Sequence, residues 1–200
     1  MVSPDPDNEL VARLRAGDEQ AFVALVRSHH DSMIKVASSL VPSSAVAEEV
    51  VQETWLAVLR GIGGFQERSS LRTWLFRILV NRARTAGEKE RRSVAVADPG
   101  PAVDAARFDS SGSWASPPEQ WLEDAEDRAQ AGKIADRIRS AIDDLPGRQR
   151  QVVTLRDIEG MTSGEVRSVL DISEINQRVL LHRGRSRVRQ VIENEFGRSR

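Results

Sequence analysis

Near the C-terminus, Arg178, His182, Arg183, Arg185, Arg187 and Arg189 recur at intervals of one to four residues. A guanidinium presents a planar fork of donors that chelates phosphate oxygens or the O6/N7 edge of guanine. A second basic group, Arg72, Arg77, Arg82 and Arg84, lies in the first half of the chain. The formal net charge is only −1, but it is unevenly spread: −5 over residues 1–67, +6 over 68–92, −6 over 93–145 and +4 over 146–200. Two basic blocks alternating with acidic ones are the electrostatic footprint of a polyanion binder. The plainer alternative is a pair of solvated helix faces.

Other chemistries find little support. The chain has no cysteine, which excludes disulfides and thiolate metal sites and suits a reducing compartment. His29 and His30 are adjacent and leave a helix about 100° apart, so they cannot share a metal. No glycine-rich phosphate loop is present. We therefore expect no catalytic residue, no metal site, no cofactor and no small-molecule substrate. The apolar runs fall short of the ~20 residues that span a bilayer. Met1–Asn8 is acidic and proline-bearing rather than basic-then-apolar, so a soluble cytoplasmic protein without membrane insertion is expected.

The elements that position the basic groups are read from periodicity. From Glu9 to about Leu59 apolar residues recur at helical spacing: Phe22, Leu25 and Val26, then Met33, Val36 and Leu40, then Val50, Val51, Leu56 and Leu59. Pro42-Ser43-Ser44 separates two helices and supplies an N-cap. Gly61, Gly63 and Gly64 break the pattern, and a third helix starts near Ser69–Ser70 with Leu71, Trp74, Leu75, Ile78 and Leu79 inward. Trp55 and Trp74 are both expected in the core. Ser93–Pro118 is rich in Pro, Gly, Ser and Asp, carries Trp114 and shows little periodicity, the composition of a flexible linker. Helical spacing returns at Glu119 with Trp121, Leu122, Ile134, Ile138 and Leu145. The expected fold class is all-α: two helical domains joined by a flexible acidic linker, with boundaries 8–92, 93–118 and 119–200.

Past the Leu145-Pro146-Gly147 turn, a helix over about 148–157 precedes a loop at Glu159-Gly160-Met161. Thr162 or Ser163 caps the next helix, which runs to Leu170; Asp171-Ile172-Ser173 turns the chain, and a longer helix covers about 174–193. Helix, tight turn, helix is the helix-turn-helix signature. Val179, Leu180, Leu181, Val188 and Ile192 are read as the inner face of its second helix.

The segment AIDDLPGRQRQVVTLRDIEGMTSGEVRSVLDISEINQRVLLHRGRSRVR (141–189) resembles the C-terminal promoter-binding domain of extracytoplasmic-function (ECF) sigma factors of the sigma-70 family. VAEEVVQETWLAVLRGIGGFQERSSLRTWLFRILVNRAR (46–84) resembles their N-terminal domain, most distinctively in its V-Q-E-T-W and S-S-L-R-T-W-L-F-R-I blocks. The resemblance implies a factor that binds core RNA polymerase and brings it to promoter DNA, taking the −35 element as duplex and the −10 element as opened strand. It implies polymerase contact through Glu48, Glu49, Gln52 and Glu53. The −10 strand would meet Gly64, Ser69, Ser70, Arg72, Arg77, Asn81 and Arg84. Arg178, His182, Arg183 and Arg185 would read the −35 element, with Asn176 and Gln177 as additional readers.

The chain departs from the family pattern in places. Val46 stands where an acidic residue is usual, Arg167 where a small one is common, and Asp171 where Gly is frequent. Ile175-Asn176-Gln177 replaces the common Gly-Thr-Val, and Val179-Leu180 replaces Ser-Arg. An anti-sigma protein is a further expected partner. The main alternative is a sigma-like decoy that binds an anti-sigma factor without reading promoters. A dimeric helix-turn-helix regulator, binding DNA without polymerase, is a weaker one.

Overall fold

A computed structural model describes residues 6–90 and 125–196. The linker over 93–118, with Trp114, and the start of the following segment, with Trp121 and Leu122, lie outside the described residues. Among those described, every regular element is helical: α1 Pro6–Arg15, α2 Glu19–Ser38, α3 Ser44–Gly61, α4 Leu71–Glu90, α5 Ala125–Asp143, α6 Gly147–Val153, α7 Ser163–Leu170 and α8 Glu174–Phe196. A 3₁₀ turn at Ile62–Gly64 and a π-helical turn at Thr154–Ile158 complete the set. By Cα proximity the chain divides into Met1–Ala95 with Gly164–Asp171, and Val96–Ser163 with Ile172–Arg200.

In the first unit α3 packs on both α2 and α4, and α1 on α2. The helices form where the apolar period demands. Leu25, Met33 and Val36 of α2, Val50, Val51 and Val58 of α3, and Leu75, Phe76, Leu79 and Val80 of α4 are all buried. Thr54, buried among them, donates its hydroxyl to the Val50 carbonyl at 2.7 Å, so its own polar atom is satisfied. The Ser43 cap holds as expected, its hydroxyl accepting from the Val46 amide at 3.3 Å.

One boundary escaped the periodicity. Instead of a single helix before Pro42 there are two, divided at Gly17, whose φ of 78° lies in the region L-residues avoid. Asp18 then caps α2, accepting from the Gln20 and Ala21 amides at 2.9 and 3.1 Å. The Arg13 guanidinium beside it, together with those amides, holds its carboxyl below the usual carboxylate range.

In the second unit α8 packs along α6 and α5. Ile142, Leu145, Val152, Leu155, Met161, Leu180 and Leu181 are buried there. The helix expected over 148–157 turns π-helical at its end, and the Glu159 amide closes on the Thr154 carbonyl five residues back. That wider turn carries Asp157, which takes both Arg185 Nε and Arg185 Nη2, at 3.0 and 2.6 Å.

Gly184 sets how near α8 comes to α6. A Cβ there would stand 2.6 Å from Val153 Cγ2. Val153 is β-branched and buried, so it cannot swing aside. Gly184→Val is therefore expected to destabilise this unit by about 1–3 kcal/mol through overpacking, despite valine's better helix propensity. Chemical denaturation of the purified variant measures this; an unchanged midpoint would show that the helices separate at no cost.

Candidate functional site

Three surfaces collect the residues singled out from the sequence. The first is the outward face of α3. Glu48, Glu49, Gln52 and Glu53 are all exposed there. Glu53 is paired across to Arg82 of α4 at 2.8 Å. Leu56 and Leu59, read from the sequence as inward-facing, are instead exposed. Their spacing from Gln52 and Glu53, three or four residues per step, continues the acidic stripe with an apolar end.

The second surface is on α4 and the loop before it. Ser70 caps the helix, its Oγ accepting from the Thr73 amide at 3.2 Å and lying 2.9 Å from the Thr73 hydroxyl. Ser70, Trp74, Arg77, Asn81 and Arg84 then follow at i, i+4, i+7, i+11 and i+14, which is a single helix face. Arg77 and Asn81 are exposed and Arg84 is half-buried. Trp74, expected in the core, is only half-buried, its ring 5.0 Å from that of the buried Phe65. The second ring expected in the core, Trp55, is buried, edge-on to Phe22 at 5.9 Å. Arg72 lies off the stripe, half-buried with its guanidinium 5.6 Å from the Phe76 ring centre.

The loop between Gly64 and Ser70 is built rather than loose. Phe65 is buried, while Gly64, Gln66, Arg68 and Ser69 are exposed. Glu67 is held at φ 55°, a left-handed conformation unusual for a glutamate. Arg15, from the end of α1, fixes it: the guanidinium pairs with the Glu67 carboxylate at 2.7 Å and donates to the Phe65 carbonyl. Nothing local in the sequence marks Arg15, because its partners lie fifty residues on.

The third surface is the helix-turn-helix. Asp171 turns the chain at φ 54°, accepting the left-handed conformation for which glycine is the common choice. Ser173 caps α8, its hydroxyl accepting from the Asn176 amide at 3.2 Å. Arg167 is half-buried. Along α8, Arg178 is exposed and pairs with Glu174 one turn back at 3.0 Å, while Asn176, His182 and Arg183 are half-buried.

Two of the sequence-based readers need correction. Gln177 is 3% exposed and belongs to the interior. Arg185 has a side chain only 17% exposed and locked bidentate onto Asp157, so its fork is already filled. Val179, read as part of the inner face, is exposed. The inner face actually runs through Gln177, Leu180, Leu181 and Gly184.

No group of His, Cys, Asp or Glu able to hold a metal occurs among the described residues. Nor is any helix among them long and apolar enough to cross a membrane.

An all-helical chain with a basic helix-turn-helix and a separate cationic helix face has the make-up of a DNA-binding protein. The sequence matches the family description "Sigma-70 region 2" over residues 25–93 and "Sigma-70, region 4" over 135–188, together more than half of the chain. It is 28% identical over 191 residues to the "ECF RNA polymerase sigma-E factor" of Escherichia coli K12, covering 94% of this chain and 93% of that protein. It is 26% identical to the "RNA polymerase sigma-H factor" of Pseudomonas aeruginosa, covering 96% and 97%.

Solved structures share the fold. That of CnrH in complex with the cytosolic domain of CnrY matches with a TM-score of 0.61 at 23% identity, covering 95% of this chain and 99% of that one. The sigma factor RpoE in complex with the anti-sigma factor NepR, from Bartonella quintana, matches with a TM-score of 0.56 at 20% identity, covering 86% and 96%. The chain belongs to the sigma-70 family, in its ECF group.

Proposed function

We propose that this sigma factor binds core RNA polymerase through α3 and directs it to promoters, reading the −35 element as duplex with α8. The −10 element is then taken as opened strand on α4 and the loop before it. The observation that carries this is a single α4 face with Ser70, Trp74, Arg77, Asn81 and Arg84, beside a loop held in shape by Arg15. Opening a duplex costs stacking energy, and a protein offsets that by stacking and trapping the freed bases. Trp74 offers a partly exposed ring and the loop offers a rigid rim of exposed polar groups, while Arg77 and Arg84 neutralise phosphates. Arg72, over Phe76, acts at the edge of that face.

On α3 the acidic residues suit a basic polymerase surface, and Leu56 with Leu59 supply the apolar part of the contact. The working modules are 8–92 and 119–200, joined by 93–118, so that two modest DNA contacts reinforce each other once both are fixed on polymerase. The protein has no chemistry of its own and acts in the cytoplasm. An anti-sigma protein is a further partner, in line with the complex of RpoE with the anti-sigma factor NepR among its structural relatives.

Transcription by bacterial core polymerase from a randomised promoter library, with and without the protein, tests the reading. Protein-dependent transcripts sharing a two-part upstream motif are the expected result. Binding to neither polymerase nor DNA would leave the decoy reading instead.

Arg15→Ala is expected to lower initiation about three- to tenfold on promoters recovered in that way. The pair it breaks is surface-exposed, so stability should change by less than about 1 kcal/mol. Affinity for core polymerase should stay the same. Open-complex formation, followed by permanganate reactivity of −10 thymines, measures it; equal opening by both proteins would rule out a positioning role for Arg15.

A further inference from the structure

The polarity of α8 is inverted at its start. The inward position holds the amide of Gln177, 3% exposed, while Ile175 stands 76% exposed and Val179 40% exposed. A soluble helix ordinarily does the reverse. Single exposed aliphatic residues are common and need no explanation. Here, however, two lie one turn apart on one face, about 6 Å along the axis, with Arg178 between them and Arg183 one turn beyond. We infer that Ile175 and Val179 form an apolar reading face that recognises the 5-methyl groups of thymines in the −35 duplex.

The inference rests on the sigma reading above and extends it to base preference. The cations on this helix favour a polyanion and disfavour a second copy of the same basic helix. Within a DNA major groove thymine presents the one apolar group of the four base edges, its C5-methyl; the other features are hydrogen-bond donors and acceptors. Neither Ile175 nor Val179 can satisfy those, and each would leave one desolvated against a wrong base. Ile175 and Val179 therefore select thymines within a few base steps of each other, and Arg178 beside them engages guanine or phosphate.

Deoxyuridine differs from thymidine only by that methyl, which makes the test direct. Promoters recovered from the randomised library are rebuilt with dU replacing dT, one −35 position at a time. Binding and initiation are then measured with holoenzyme containing the wild-type chain, Ile175→Ala or Val179→Ala. Both substituted side chains are exposed, so the variants keep the fold, and unchanged helicity and core affinity check this. Wild type should lose about fourfold at each of one or two positions, the value of one buried methyl. Each variant should be indifferent to dU at one of them.

Initiation that is intact yet insensitive to every dU substitution would overturn the inference and assign the pair to a protein partner. Sensitivity that persists in both variants would overturn it equally. If the unsubstituted templates give no protein-dependent transcript at all, the sigma reading itself falls, and this inference with it.

Discussion

Replacing both Arg178 and Arg183 by alanine is expected to reduce −35-dependent initiation at least about thirtyfold. A bidentate arginine–guanine contact is worth about 1–3 kcal/mol, and two sites roughly 7 Å apart along a helix contribute almost independently. Arg178 can leave its partner easily, because its pair with Glu174 is exposed and one turn away. The nature of the loss says what each residue does. A base reader, when removed, relaxes the selected sequence at one or two positions. A phosphate binder lowers affinity on every sequence and flattens the salt dependence by about one unit. Sequencing of promoters selected by the double variant, with binding measured from 50 to 200 mM salt, separates the two. An unchanged promoter profile with an unchanged salt slope would mean that α8 does not meet DNA through these side chains. Arg185→Ala is the useful contrast: with its fork filled by Asp157, its loss should appear in stability before specificity.

Leu56→Asp on α3 is expected to weaken binding to core polymerase about thirty- to a thousandfold. A carboxylate forced into a desolvated contact loses hydration without gaining a partner, and residues central to an interface commonly cost about 2–4 kcal/mol when disrupted. Leu56 and Leu59 are exposed in the free chain, so the fold itself should be indifferent. Circular dichroism and the denaturation midpoint should match wild type while equilibrium binding to core collapses. Glu53→Ala should cost less, because part of its charge is already engaged by Arg82 and exposed pairs contribute about 0–1 kcal/mol. If Leu56→Asp binds core as well as wild type does, the docking face lies elsewhere on the first unit.

The residues that could be read in advance share a physical trait: their signal is local. Helical periodicity marked α3, α4 and the helices around the turn at Asp171, because a buried stripe must repeat every three or four residues. Ser43 and Asp171 declared themselves as cap and turn by residue type. The basic face of α4 and the helix-turn-helix were likewise visible, since charge and spacing alone describe them. The division at Gly17 was missed because a short break flanked by continuing apolar spacing leaves the period almost undisturbed.

Tertiary structure decided the rest, wherever a residue's role depends on what comes to meet it from far along the chain. Nothing in residues 13–18 announces that Arg15 holds the loop at Phe65 and Glu67. The face of α8 was ambiguous in the same way: a helix rich in arginine and aliphatic residues has two plausible inner stripes. The choice fell to Gly184, whose missing side chain lets α8 lie against Val153 and Gln149. That contact rotates Gln177 inward and leaves Ile175 and Val179 facing out. The sequence thus determined the helices and a polyanion-binding character through composition and period, and the family through the resemblance of its two motif-bearing segments. Packing alone determined which side chains are free to meet that partner, because burial is a property of two surfaces and a sequence pattern describes only one.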